Sequence, residues 1–124
     1  MTLASPTNYG INISDENEVK AWREMLRLWL VKDRNFLCDY CGKSLTTSFD
    51  MHESLVTRQA AQKAKWKGLI YAEQNCTVLH RECHEKVQSD RDWAFERLSE
   101  LYGADAIREW YYGLPWKGKP PREF

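Results

Sequence analysis

Two pairs of potential metal ligands, separated by a long stretch of chain, constrain the fold more than any other feature of this sequence. Cys38 and Cys41 form a Cys-x-x-Cys pair, and His80 and Cys83 form a second pair with the same spacing. Zinc is bound tetrahedrally by thiolates and imidazoles, and two ligands separated by two residues can reach one ion from a single turn. The spacing therefore predicts a structural zinc site that closes a long loop and compensates for a small core.

The remaining cysteine, Cys76, lies in a predicted strand and is interpreted as a small buried hydrophobic residue. A second hypothesis places Cys76 in the zinc site instead of His80. Buried free thiols, or an incidental match to the spacing, are the alternatives to metal binding. The first ten residues lack the basic start and apolar stretch of a signal peptide, so metal ligation is expected rather than disulfide formation.

Length and charge limit the classes of protein that this chain can belong to. Its 124 residues, of which 43% are hydrophobic, suffice for one modest core. No apolar run approaches the roughly 18 residues that cross a bilayer, so we expect a soluble cytoplasmic protein. Its 18 basic residues balance 18 acidic ones. Only local clusters of charge can therefore argue for a nucleic-acid partner.

Hydrophobic periodicity divides this single globular domain into three parts. They are an N-terminal arm and helix over residues 1–33, a core over residues 34–88, and C-terminal helices with a basic tail over residues 89–124. Ser14 is expected to cap a helix spanning about residues 15–31. Tryptophans of the helices could seal the core, which is the favoured interpretation, or form a dimer face. These tryptophans are Trp22, Trp29, Trp93 and Trp110.

The core is predicted to contain short strands around a basic insert. Residues 49–56 alternate loosely and indicate a strand, whereas residues 57–67 are typical of a helical or irregular insert ending at Gly68. Residues 69–71 are expected to pair with a strand at residues 76–79.

Helices are predicted for the rest of the chain. The first spans residues 81–88, and the second begins at a cap formed by Ser89 and Asp92 and ends at Gly103. The last spans about residues 105–112.

The stretch over residues 75–86 resembles the second half of the HNH nuclease motif. In that motif an asparagine opens a strand leading to a zinc pair, and a histidine follows the last ligand, as His84 follows Cys83 here. The resemblance covers about residues 36–87 and implies the ββα-metal fold, in which a two-stranded hairpin, a loop and a helix surround one catalytic divalent ion. The fold class expected is thus a small α+β fold, with a ββα-metal core and structural zinc flanked by N-terminal and C-terminal helices.

The resemblance also implies a reactive centre. Asp50 and His52 lie two residues apart, so on a strand they point to the same face, and with His84 they would bind a divalent cation such as Mg²⁺ or Mn²⁺. Asn75 would orient the general base or complete the metal shell.

Two assignments of the base remain open. Either His52 is the base and Asp50 helps to bind the metal, or His52 is a metal ligand and Glu53 is the base. The neutral pKa of a free imidazole favours His52. The Asp-x-His-Glu sequence resembles a variant found in phage-encoded HNH proteins, for which the host cytoplasm is the expected location. The alternative is that Asp50 and Glu53 are ordinary exposed carboxylates.

Basic residues of the insert are the candidate contacts to double-stranded DNA. They are Arg58, Lys63, Lys65 and Lys67. Contacts to backbone phosphates would give affinity without sequence choice. The tail over residues 115–122 could do likewise or dock on the core. Because no helix looks dedicated to reading bases, we expect weak specificity, with target choice supplied by a protein partner.

The function expected from these features is that of a metal-dependent HNH endonuclease, a hydrolase that nicks or cuts DNA at phosphodiester bonds. A non-catalytic zinc module that binds DNA or a protein on the same scaffold is the first alternative. A structural interaction protein built on the tryptophan-rich helices is the second.

Overall fold

A computed structural model describes residues 15–46, 48–64 and 67–124, with the backbone alone for residues 62–64 and 67. The described chain forms five α-helices, one 3-10 helix and a two-stranded sheet. In chain order they are α1 (Glu16–Asp33), β1 (Asp50–Glu53), α2 (Arg58–Ala64), the 3-10 helix (Lys67–Ile70), β2 (Cys76–Leu79), α3 (Arg81–Val87), α4 (Arg91–Tyr102) and α5 (Ala104–Tyr112). No helix in these ranges is long and apolar enough to cross a membrane.

The first helix follows the predicted periodicity closely. Its N-cap is Asp15, whose carboxylate accepts a hydrogen bond from the Asn17 amide at 2.9 Å; the predicted cap, Ser14, lies outside the described residues. One face of α1 is buried in the core, and the Trp22 indole donates to the Tyr71 carbonyl at 2.7 Å. The predicted core packing of the tryptophans is confirmed, because Trp22 is buried and the other three pack against the core.

The two strands pair antiparallel, with Asp50 opposite Leu79 and His52 opposite Thr77. The predicted pairing of residues 69–71 with β2 is wrong, because β1 occupies that place. Instead, the Asn75 side-chain Nδ2 donates a hydrogen bond to the Ile70 carbonyl and holds this segment near the start of β2. Gly68, predicted to end the insert, lies inside the 3-10 helix.

Helix α3 follows β2 directly and packs against the sheet through Cys83 and Val87. Its first turn brings Arg81 and His84 into contact with Asp50 on β1.

Helices α4 and α5 pack against each other, and α4 also contacts α3. The cap of α4 is Asp90, whose carboxylate accepts from the Trp93 amide at 2.9 Å. The cap predicted at Ser89 and Asp92 is therefore wrong by one position, since Asp90 lies at the correct spacing from Trp93. The predicted end of this helix at Gly103 is confirmed, with a φ of 90° that favours glycine.

The C-terminal tail docks on the core. The Tyr111 hydroxyl donates to the Arg122 carbonyl at 3.0 Å, and the Trp116 indole donates to the Tyr111 carbonyl at 2.8 Å. The Phe124 ring stacks on Phe95 with centroids 5.0 Å apart. Of the two alternatives for the basic tail, docking is the one that its backbone and aromatic residues adopt.

A buried carboxylate joins three parts of the fold. Asp39 has a fully buried side chain that accepts from Arg34 at 3.2 Å, from Arg97 at 3.0 Å and from the Val78 amide at 2.8 Å. Its own amide donates to the Val78 carbonyl at 2.9 Å. Asp39 thus links the Cys-x-x-Cys turn to the end of α1, to β2 and to α4.

Replacing Asp39 tests how far the fold depends on this junction. Asp39→Asn would remove the fully buried counter-charge of the Arg34 guanidinium and leave it only the partly exposed Asp33, and we expect a loss of about 3–5 kcal/mol in the free energy of unfolding. Urea unfolding followed by tryptophan fluorescence measures it. The matched control is Asp105→Asn, because that carboxylate is fully exposed and pairs only at the surface with Arg108. Equal stability of the two variants would contradict the role given to Asp39.

Candidate functional site

The four predicted zinc ligands lie together. One ligand atom from each of Cys38, Cys41, His80 and Cys83 falls within 4.8 Å of all the others. The His80 Nδ1 lies 3.3 Å from the Cys41 Sγ and 4.0 Å from the Cys83 Sγ. Tetrahedral zinc would separate a bound sulfur from a bound nitrogen by about 3.6 Å. A positive φ of 73° at Gly42 allows the sharp turn after Cys41. These residues fit a zinc ion.

The chemistry around this cluster also suits a cation. The His80 Nε2 donates to the Ser44 carbonyl at 3.0 Å, which leaves Nδ1 with the lone pair that a metal needs. The Ser44 carbonyl and the Cys38 thiol raise the pKa of His80. Burial, together with the neighbouring thiols of Cys38 and Cys41, raises the pKa of Cys83 to about 12. The sulfur atoms therefore lie so close together that negative charge on several of them requires a compensating positive charge.

Cys76 takes no part in this cluster. It is fully buried, its thiol donates to the Ile70 carbonyl at 3.7 Å, and burial raises its pKa. The interpretation of Cys76 as a small buried residue is confirmed. The hypothesis that it replaces His80 as a ligand is wrong.

Three predicted site residues form a second cluster beside the first. Asp50 and His52 lie on the same face of β1, as the strand period predicts, and His84 reaches them from α3. The His84 Nδ1 is 2.9 Å from the Asp50 Oδ2, and its Nε2 is 3.1 Å from the His52 Nδ1. Because His84 directly follows Cys83, the ligand cluster also fixes the position of this ring.

The His52 ring is buried, with only 5% of its surface exposed. Burial first, and then the positive charges of His84 and Arg91, lower the pKa of His52 to about 4, so that the ring is neutral at neutral pH. With Asp50 accepting from the His84 Nδ1, the His84 Nε2 accepts from the His52 Nδ1 when both rings are neutral. The His52 Nε2, which has no hydrogen-bond partner within the described chain, then carries a buried lone pair.

Glu53 continues β1 beyond His52, and its carboxylate meets Arg58. The Arg58 Nη2 lies 3.7 Å from the Glu53 Oε1, an oxygen with no hydrogen-bond partner in the described ranges. The side chains of Asp50 and Glu53 are only 20% and 15% exposed. The interpretation of these two residues as ordinary exposed carboxylates is therefore wrong.

Asn75 is fully buried and acts on the backbone. Its Oδ1 accepts from the amides of Leu55 and Val56 at 2.8 and 2.9 Å, and its Nδ2 donates to the carbonyls of Val56 and Ile70 at 3.0 and 2.9 Å. These four bonds use both lone pairs and both hydrogens of the amide. The side chain thus holds the chain immediately after β1, and its Oδ1 has no lone pair left to bind a metal ion.

A cleft of about 470 Å³ opens beside the cluster of Asp50, His52 and His84. His52, Glu53 and His84 line it, together with Arg58 from α2 and Arg91 from the start of α4. Of the predicted DNA contacts, Arg58 lies at this cleft. The side chains of the other three, Lys63, Lys65 and Lys67, lie outside the part of the chain that the structure describes, and their role stays a prediction.

Sequence reasoning missed two arginines near the cluster. Arg81 lies 3.2 Å from the Asp50 carboxylate, and Arg91 lines the cleft. The spacing of Arg81 from His84, three residues along one helix, could have indicated a shared face. Arg91 reaches the cleft only through the corner between α3 and α4, for which the sequence carries no clear pattern.

Metal analysis of the purified chain tests the four-ligand cluster. We expect about one zinc per chain, a lower Tm after chelation because metal binding contributes to folding, and loss of the zinc in Cys41→Ser. Cys76→Ala is the matched control, since this cysteine lies outside the cluster, and it should retain the metal. Stoichiometric zinc in Cys41→Ser would contradict the assignment.

Comparison of the chain with protein-family models, with curated proteins and with solved structures found no match. A functional argument for this protein therefore depends on its own residues and their contacts.

Proposed function

We propose that this chain is a metal-dependent endonuclease of the HNH type, which hydrolyses phosphodiester bonds of DNA with little intrinsic sequence choice. The observation that carries the proposal is the convergence, beside an open cleft, of Asp50 and His52 from β1 with His84 from α3, the helix that carries Cys83 of the zinc-ligand cluster. The order of strand, insert, strand and helix agrees with the ββα-metal core that the sequence resembles.

The donor set at this cluster suits a catalytic divalent cation. Asp50 would supply a carboxylate oxygen, and His52 and His84 would supply imidazole nitrogens, ligands that suit Mn²⁺ and other transition metals and, through the carboxylate, Mg²⁺. The His52 Nε2, across the ring from the His84 contact, is buried without a hydrogen-bond partner in the described chain, so its lone pair is available to an ion. When bound, such an ion stabilises charge on the phosphate and on the leaving oxygen.

Of the two assignments of the base, the contacts favour Glu53. The His52 ring is buried, bonded to His84 and weakly basic, which suits a ligand better than a group that collects a proton from water. Glu53 lines the cleft with a side chain that is 15% exposed; its buried Oε1 has no hydrogen-bond partner among the described residues and lies 3.7 Å from the Arg58 Nη2. A water held at Glu53 would give its proton to this carboxylate as the water oxygen attacks phosphorus; the ester bond from phosphorus to the sugar oxygen would break, and that oxygen would leave and take a proton from solvent.

One observation favours a second candidate function, the non-catalytic zinc module. Asp50, His84 and His52 bond to one another in a row, so each group satisfies the next without an ion. Such a row could simply brace β1 against α3. The two functions differ in whether the purified protein cleaves DNA.

Plasmid nicking distinguishes them. With Mg²⁺ or Mn²⁺ added, we expect the protein to relax supercoiled plasmid, and His84→Ala to lower the rate about 100-fold or more because it removes a ligand of the catalytic ion. Glu85→Gln, an exposed change on the same helix, is the control and should cleave normally. Absence of cleavage with a panel of divalent ions would favour the non-catalytic module.

A paired comparison identifies the base. Glu53→Gln should lower turnover by about 10²–10⁴-fold, the contribution expected of a general base, while Mn²⁺ binding measured by electron paramagnetic resonance survives. His52→Ala should instead weaken Mn²⁺ binding. If His52→Ala binds Mn²⁺ normally but does not cleave, and Glu53→Gln cleaves normally, the two roles must be exchanged.

A further inference from the structure

A second groove adjoins the cleft beside His52 and His84 and shares three lining residues with it, Thr57, Ser89 and Arg91. This groove has a volume of about 310 Å³ and lies between the segment after β1 and the docked tail. Leu55 and Val56 line one wall, and Tyr111 and Trp116 line the other. Arg91 is the charged residue among these three, and it lines both the groove and the cleft.

Arg91 is a half-buried cation with little to neutralise it. Its Nη1 donates to the Gln88 carbonyl at 3.2 Å, and no carboxylate of the described residues forms an ion pair with it. Burial and the charge of Arg122 both lower its pKa. Two guanidinium groups that repel each other across a groove favour an anion between them.

Arg122 is brought to the groove by the docking of the tail. The Tyr111 hydroxyl holds its carbonyl, and its guanidinium pairs with the exposed Asp92 carboxylate. Trp116 packs on Tyr111 with ring centroids 5.1 Å apart and completes an aromatic wall. The groove thus combines arginines with apolar and aromatic surface, the combination that suits a strand of phosphates, sugars and bases.

We propose that the DNA strand leaves the reactive cleft through this groove, with Arg91 binding the phosphate at the junction and Arg122 binding a neighbouring phosphate. The proposal rests on the proposed function for its substrate class. Guanidinium groups bind phosphate oxygens in a bidentate manner, which fixes the strand relative to Glu53 and His84 without selecting a base sequence.

Binding of a fluorescein-labelled 20-base-pair duplex, measured by anisotropy from 50 to 200 mM NaCl without added divalent ions, tests the proposal. Arg91→Gln should weaken binding about threefold to tenfold near 100 mM salt and lower the slope of log K against log salt by about 0.9, the value for one lost phosphate contact. Arg91→Gln with Arg122→Gln should lower the slope about twice as much. Arg91→Lys should restore most of the slope, because a lysine keeps the charge.

Lys32→Gln is the matched control, since it removes one exposed positive charge from the end of α1 and lines neither concavity. Thermal melting of each variant verifies the fold. If Arg91→Gln and Lys32→Gln bind duplex equally well, or if the wild-type chain binds no duplex, the proposal that DNA occupies the groove is overturned. Duplex binding that depends on Arg91, in a protein that cleaves DNA with none of the divalent ions tested, supports the groove and rejects the nuclease function.

Discussion

The cluster of Cys38, Cys41, His80 and Cys83 is the constraint on which the rest of the structure depends. It joins a turn that follows α1 to the start of α3, which are otherwise connected through a long stretch of chain. The opposite side of the same turn carries Asp39, whose buried carboxylate reaches β2 and α4. A domain with a small core is thus held at one point by ligand geometry and by a compensated buried charge.

The same constraint links stability to chemistry. Cys83 belongs to the ligand cluster and His84 follows it, so a ligand position fixes where the reactive imidazole lies against β1. Asn75, which directly precedes β2, fixes the backbone after Glu53 and the Ile70 carbonyl through four hydrogen bonds. The Ser54 hydroxyl adds bonds to the His52 carbonyl at 3.0 Å and to the Thr77 hydroxyl at 2.9 Å. The cleft residues are therefore positioned by groups that never face the cleft.

Sequence periodicity and spacing predicted much of this arrangement, because both depend on local geometry. Two residues between ligands define a turn, and the strand period puts Asp50 and His52 on one face. The strand that pairs with β2 could not be predicted in this way, since it depends on the hydrogen bonds that the Asn75 side chain forms with distant backbone groups. The cap of α4 was mispredicted for a similar reason: Ser89 and Asp90 are adjacent, and only the backbone conformation selects Asp90. The protonation state of His52 could not be predicted either, because it depends on how deeply the ring is buried, which the sequence pattern does not indicate.

Local pairing of charges explains how a chain with no net charge could attract a polyanion. Glu53, which lines the cleft, pairs with Arg58, and Asp50 beside the cleft pairs with Arg81, so each of these carboxylates is matched by an arginine. Arg91 has no such carboxylate among the residues described, which leaves the cleft with an excess of positive charge. A divalent ion at Asp50 would increase that excess. Because screening limits such fields to about 10 Å at ordinary salt, attraction would act on phosphates that enter the cleft and would leave the rest of the surface neutral toward DNA.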